Sequence, residues 1–403
     1  MGLPKVVITI GNGTLGKTTT TDDGVAGLIV SGTAITAGSG ATGLALATPV
    51  QLFSWQQFLN IGFTAVNNPI AYADVKDFYN QAGNGSELWL MLITDATLLG
   101  ALCDNTTVGT SIKTLLDAAA RRIRLLGVNR KKPATGYTSV YTVNSGGVDD
   151  DCFTAIGKLE ATRAIYATAY KPFRAFICGQ GYVTTAPGTL SLKAGANRGV
   201  QVLLGSSAAN MVQVGIVLGR YAAIPVQRSG ARVKDGDLGI IAACFPDGVA
   251  VNSMEASWDA NIDGKGYVFF RNFYGKSGFY ISNDITATAD SDDYNTIQNG
   301  RVIDKAAVIA YATLVNELND DIDVDPITGY ISAGIIASWK AEVENALNQN
   351  MNANLSGKAV ATINPKQNLL SSNVIAMSIK LVPKGYSKEI DISLSYNNPF
   401  KTT

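Results

Sequence analysis

The residues Gly11–Thr18, GNGTLGKT, satisfy the pattern G-x-x-x-x-G-K-[ST] at every fixed position and follow a β-branched segment. In a nucleotide-binding loop of this kind, backbone N–H groups cradle phosphate and the lysine reaches the terminal phosphates. Asp95, at the end of the apolar run LMLITD, would supply the second half of such a signature. The chemistry needs a helix that opens at the lysine, because the helix N-terminus holds the phosphate. Residues 18–24 read TTTTDDG instead. A β-branched run and an acidic turn make a poor first helical turn, and Asp22 and Asp23 would repel phosphate. The segment reads as a Gly/Thr-rich loop between strands.

Asp321, Asp323 and Asp325 have the alternate spacing of a calcium loop. That loop needs glycine at its sixth position and glutamate at its twelfth, where this chain has Pro326 and Ser332. An acidic turn between two helices is the better reading. The chain has no histidine, which removes the commonest general base at neutral pH and the commonest metal ligand. Cys103, Cys152, Cys178 and Cys244 form no C-x-x-C pair and sit beside apolar residues, as reduced core cysteines do. Arg121, Arg122, Arg124, Arg130, Lys131 and Lys132 make a basic run without interleaved aromatics, which reads as a solvated helix end. No metal, cofactor or catalytic residue is expected.

The elements around these residues alternate in period. Val25–Ala34, Pro49–Ser54, Glu87–Thr94, Phe173–Cys178 and Val200–Leu204 read as strands, and the apolar run in Glu87–Thr94 reads as a central buried one. Trp55–Gly62, Tyr72–Gln81, Ser111–Leu126, a segment from Asp149–Asp151 to about Ala169, and Ser207–Ala223 read as helices. Gly215 and Gly219, four apart, would let another backbone approach closely. Strand and helix alternating over 25–265 predict a layered α/β domain.

The texture changes near Tyr267. Tyr267–Phe273 and Phe279–Asn283 flank GKSG as a strand pair, and Arg301–Leu318 and Ser332–Met351 read as long helices. In the second helix Ile335, Trp339, Val343, Leu347 and Met351 form a stripe, with Lys340, Glu342, Glu344, Asn345 and Gln349 assigned to the reverse face. Ala359–Ile363, Val374–Leu381 and Lys388–Tyr396 read as closing strands. The last alternates Ile390, Ile392, Leu394 and Tyr396 against Glu389, Asp391, Ser393 and Ser395. Lys5–Ile10, KVVITI, is a strand at the other end, with Val6, Ile8 and Ile10 on one face. Terminal strands on turn-rich linkers can pair within a subunit or extend a neighbour's sheet.

Lys+Arg and Asp+Glu are equal at 32 each among 403 residues, of which 46% are apolar. The balance argues against a chain-wide grip on nucleic acid and suits packing against copies of the same chain. The N-terminal apolar run is too short for a signal peptide, and no apolar stretch is long enough to span a membrane.

Three blocks carry a resemblance. LIVSGTA, ATPVQLFSWQQFLNIG and YADVKDFYNQAGNGSELWLMLI form the first, and YVFFRNFYGKSGFYISNDITATADSDDYNTIQNGRVIDKA the second. The third runs from DPITGYISAGIIASWKAEVENALNQNM through INPKQNLLSSNVIAMSIKLVPKGYSKEIDISLSY. In order and spacing the sequence resembles the contractile tail sheath proteins of bacteriophages and related injection machines. The resemblance covers about half the chain, while the region from about 100 to 265 matches only in layout.

The resemblance implies a non-enzymatic subunit, made and assembled in the bacterial cytoplasm, that polymerises into a helical tube around an inner tail tube. Baseplate and tail-terminator proteins would be further partners, and contraction would drive the tube into a target cell. It implies an N-terminal strand arm (1–21), an outer α/β domain (22–265), and an inner domain (266–403) with a mixed sheet, two long helices and a C-terminal strand arm. The arms would be exchanged between subunits, and Lys340, Glu342 and Glu344 would face the tube. A P-loop NTPase and a non-contractile tail or capsid component are the alternatives.

Overall fold

The computed structural model describes residues 22–38, 40–106, 109–131, 148–179, 181–185 and 191–396. The chain divides after Ala312 into two compact units. The larger unit runs past residue 265, where the strand Tyr267–Val268 hydrogen-bonds into its sheet.

In the first unit, β1 (Ala26–Ser31) is buried along its whole length. It is followed by β2 (Val50–Leu52), α1 (Trp55–Ile61), α2 (Pro69–Ala82) and β3 (Leu88–Ile93). The Ser54 side chain accepts from the N–H of Gln57 at the start of α1, and Gly62, in the left-handed region at φ 107°, ends it. Pro69 stands at the first position of α2, where its missing N–H costs nothing. Then come α3 (Leu99–Leu102), α4 (Ile112–Ala118), β4 (Leu125–Asn129), α5 (Asp150–Thr168), β5 (Arg174–Cys178), β6 (Ala196–Asn197), β7 (Val200–Leu203) and α6 (Val214–Ala223). The unit continues through β8 (Tyr267–Val268), β9 (Phe270–Arg271), β10 (Tyr280–Ile281) and β11 (Ala287–Thr288), after which α7 spans Ile297–Leu314.

The main sheet has the order β2-β3-β1-β4-β5-β7-β8. Every neighbouring pair in it is parallel except β2 with β3. Strands covered on both faces read as unbroken apolar runs, which is why Leu88–Ile93 was legible. β9 pairs with β10, and β11 with β6, as small antiparallel pairs.

Close packing of α2 on α6 uses the two glycines picked out by spacing. A Cβ at Gly215 would stand 2.0 Å from the carbonyl oxygen of Asp74, and one at Gly219 would stand 2.6 Å from that of Phe78. Two expected helices are shorter than their periodicity suggested. Ser111–Leu126 breaks at Ala118, where Ala120 and Arg121 turn the chain through the left-handed region, and Leu125–Asn129 enters the sheet as β4. Ser207–Ala223 begins only at Val214, because Ser206 bridges to Cys244 and Asn210 takes φ 60°.

The second unit holds α8 (Ala333–Met351), β12 (Val360–Ile363), the short helix α9 (Leu369–Ser372) and β13 (Met377–Lys380). Ser332 caps α8 by accepting from the N–H of Ile335. Val343, Leu347 and Met351 are its buried stripe. β12 and β13 form a two-stranded antiparallel sheet with Ala361 opposite Ile379 and Ile363 opposite Met377. Residues 388–396, expected as a strand, pair with no strand among the described residues.

Candidate functional site

The six parallel strands of the main sheet follow the spatial order 2-1-3-4-5-6, a doubly wound arrangement extended by one strand. Such a sheet opens a ligand crevice at the carboxyl ends of its first and third strands, here β1 and β4. The chain's own groups fill that place. Ser31 Oγ accepts from the N–H of Lys131 at 2.7 Å. Asn68, buried beneath the loop, accepts from the N–H of Thr33 at 2.8 Å and donates to the Thr33 carbonyl at 3.1 Å. Asn129 donates to Asp74 Oδ2 and to the Val212 carbonyl.

The buried charges beside the crevice are structural in the same way. Arg130 is fully buried, 3.3 Å from Asp151, and donates to the Thr97 carbonyl. Asp151 accepts from the N–H groups of Leu99 and Gly100 at the start of α3. The basic run is therefore not a solvated helix end. Arg122 forks onto Glu87 and reaches Asp22, Arg124 reaches Asp22, and Arg121 pairs with Asp117. Lys132 and the GNGTLGKT segment lie outside the described residues, as do Val6, Ile8 and Ile10. Asp95 lies in the turn after β3.

Cys103, Cys152 and Cys178 are buried, and burial pushes all three thiols up. Cys244 is only partly covered. Among the described residues no cluster of ligating side chains could hold a metal ion. No helix there is long and apolar enough to cross a membrane. The acidic turn is self-contained: Asp325 Oδ1 accepts from the N–H groups of Ile327 and Thr328 and from the Thr328 hydroxyl, which holds its carboxyl below the usual range.

The second unit ends in a run of exposed apolar groups. Ile390, Ile392, Leu394 and Tyr396 are 76%, 74%, 90% and 106% exposed. About 25 cal/mol attaches to each Å² of apolar surface removed from water, so this one-sided row favours burial. A cavity of about 400 Å³ opens in the same unit, lined by Leu318, Ile322, Trp339, Leu369, Ile375 and Met377 among others. The Trp339 indole N–H donates to Glu317 at 2.9 Å, so this tryptophan edges the cavity instead of filling the core.

On α8 the expected charged face separates in two. Glu342 is exposed and accepts from the Ser338 hydroxyl. Glu344 lies on the other side, where its carboxylate accepts from the N–H of Ala361 at 2.8 Å and Lys340 stands 3.9 Å away. One turn on, Asn348 Oδ1 accepts from the N–H of Ala359 at 2.9 Å. Sequence reasoning missed this pair of strand contacts. Its only signal is two acceptors spaced i, i+4 beside the Val343–Leu347 stripe.

Residues 3–284 match the family described as DUF2586, N-terminal domain, and residues 293–401 match DUF2586, C-terminal domain. No curated protein matches. Solved structures do. The helical sheath of the anti-feeding prophage in its contracted state is 14% identical with a TM-score of 0.62, over 98% of this chain and 100% of that one. A chain of the anti-feeding prophage baseplate is 13% identical with a TM-score of 0.59, over 98% and 99%. The contracted PVC sheath complex of an extracellular contractile injection system is 14% identical with a TM-score of 0.58, over 98% of both chains. At these identities the agreement is one of fold, and the chain has the fold of contractile injection system sheath proteins.

Proposed function

The chain belongs to the DUF2586 family, and from that premise we propose that it is the sheath subunit of a contractile injection machine. It polymerises into a helical tube around an inner tube and shortens to drive that tube into a target cell. What carries the reading is agreement in fold across nearly the whole chain with two sheaths, both captured contracted. The subunit works without catalysis. Its partners are copies of itself, the inner tube and the baseplate, and it is assembled in the bacterial cytoplasm as part of a tail.

Assembly rests on the chain ends. Lys5–Ile10 and Lys388–Tyr396 leave their own subunit and add to sheets of neighbours, residues 1–21 and the C-terminal segment acting as arms. A heterologous contact that does not close on itself gives an open helix. Strand exchange keeps subunits linked while their bodies rotate. Each added backbone hydrogen bond contributes a net ~0.5–1.5 kcal/mol, weak in one copy and large along a lattice. In this reading the C-terminal unit is the tube-facing part: Lys340 and Glu342 on α8 meet the tube, while the Glu344 carboxylate is engaged within its own unit.

Deletion of 386–403 tests the reading. The expected product is folded, soluble and monomeric by sedimentation, while the full chain polymerises. A shortened chain that still forms sheaths contradicts arm exchange. A shortened chain that does not fold places the segment in its own core.

A further inference from the structure

We propose that the tip of the β9–β10 hairpin, residues 273–279, forms with Arg271 and Ile241 a docking surface for a second copy of this chain, and that it receives that copy's acidic turn at 320–327. The inference rests on the sheath reading and adds to it a contact that involves neither chain end.

The hairpin is held from within. Gly275 and Gly278 take φ 74° and 79°, the Lys276 N–H donates to the Phe273 carbonyl, and the Tyr280 hydroxyl donates to that of Ser277. The Leu238 N–H donates to the Phe279 carbonyl at 2.8 Å, which ties the loop carrying Ile241 to the hairpin. Arg220, buried, holds the start of that loop by donating to the carbonyls of Asp235, Gly236 and Asp237. Asp237 engages its carboxylate with the Gly239 N–H. On this base Ile241 and Tyr274 are 99% and 108% exposed. Arg271 lies over the rings of Trp258, at 5.2 Å, and Phe273, at 4.5 Å. The two rings orient its guanidinium, yet no carboxylate pairs with it among the described residues and its buried Nε has no acceptor. An arginine and aromatic groups fixed among exposed apolar side chains have the composition of a protein-binding hot spot. A guanidinium stacked on aromatic rings keeps its fork of donors for a carboxylate, here one that another chain supplies.

The chain itself carries the matching surface. Residues 313–332 hold five carboxylates and no cation. Glu317 is engaged by the Trp339 indole and Asp325 by its own turn. Asp320, Asp321 and Asp323 are exposed and have no ion pair among the described residues. A bridge between Val324 and Ile331 holds the turn, and Leu318 and Ile327 stand exposed on either side of these acids in sequence. The two surfaces therefore complement each other in charge and in apolar content. Arg271 and Lys276 accompany Tyr274 and Ile241 on one, and three carboxylates accompany Leu318 and Ile327 on the other. They are different parts of the chain, so their contact between copies is heterologous, the kind that generates an open helix.

The test uses the full chain and follows polymer by sedimentation and fold by circular dichroism. Arg271→Glu is expected to lower sedimented polymer at least tenfold. Combining it with Asp320→Lys, Asp321→Lys and Asp323→Lys is expected to restore polymer. Tyr274→Asp alters only a fully exposed side chain, so it keeps the fold and is expected to lose polymer likewise, even where Arg271→Glu does not fold. For a direct readout, chains carrying Tyr274→Cys are mixed with differently tagged chains carrying Ile327→Cys, polymerised and oxidised. A disulfide-linked pair of the two is expected at least tenfold above the background that native cysteines give in the unaltered chain. Undiminished polymer from Tyr274→Asp and from folded Arg271→Glu overturns the docking surface. Lost polymer with neither cross-link nor restoration means that the hairpin meets another surface, and overturns the choice of the acidic turn. An unaltered chain that forms no polymer overturns the sheath reading and this inference with it.

Discussion

Asp74, on α2, is wholly buried against the start of α6, where it accepts from the N–H of Gly215 and from Asn129. Burial pushes its carboxyl up to about 7 against the pull of those donors. Burial also lifts Asp77 to about 6, opposed by the Gln213 amide that donates to it. A carboxyl raised by folding holds its proton more tightly in the folded state, so stability is greatest at low pH and falls as pH rises toward the folded value. The groups lowered by folding, Asp104 and Asp117, lose their contribution only below the ordinary carboxylate range and do not act in this window. The first unit should therefore melt higher at pH 5 than at pH 8. The slope is at most about 1.4 kcal/mol per pH unit for each group, between roughly pH 4 and 7 for Asp74 and roughly pH 4 and 6 for Asp77. Asp74→Asn should flatten the profile, and melting curves across pH check it. Nothing in the sequence singled out Asp74, because its surroundings come from three separate elements. Lys17 of the GNGTLGKT segment is the reverse case, a residue conspicuous in sequence. Lys17→Ala is expected to leave assembly unchanged, with no micromolar nucleotide binding in either form by calorimetry.

At the scale of elements, the clearest sequence signals were apolar runs and glycine spacing. β3 and β5 were legible because a strand buried on both faces shows no alternation to confuse. β4 was not, because Ile123 and Leu126 continue the periodicity of α4 although the backbone turns at Ala120 and Arg121. The acceptors Glu344 and Asn348 look like a charged helix face until β12 is placed beside them. The α2–α6 contact gives a paired prediction. Gly219→Ala should destabilise by ~1–3 kcal/mol, since the new methyl meets backbone that cannot yield. Gly157→Ala, exposed in α5 with nothing within 4 Å, should stabilise by ~0.5–1 kcal/mol. Denaturant midpoints of the two variants shifting the same way would contradict the packing argument.

For the molecule as a whole, the sequence carried more about assembly than about domain limits. Balanced charge and two strand-like ends pointed to self-association, whereas the division after Ala312 depends on long-range pairing no local pattern reveals. If α8 meets an inner tube, reversing Lys340 and Glu342 should weaken co-assembly with the tube protein while leaving the melting temperature unchanged. The central claim is that this chain builds an open helical sheath, and electron microscopy of the purified full-length protein tests it most directly. The account predicts hollow, striated tubes whose formation depends on residues 386–403. A full-length chain that stays monomeric at high concentration, or closes into discrete shells, would contradict it.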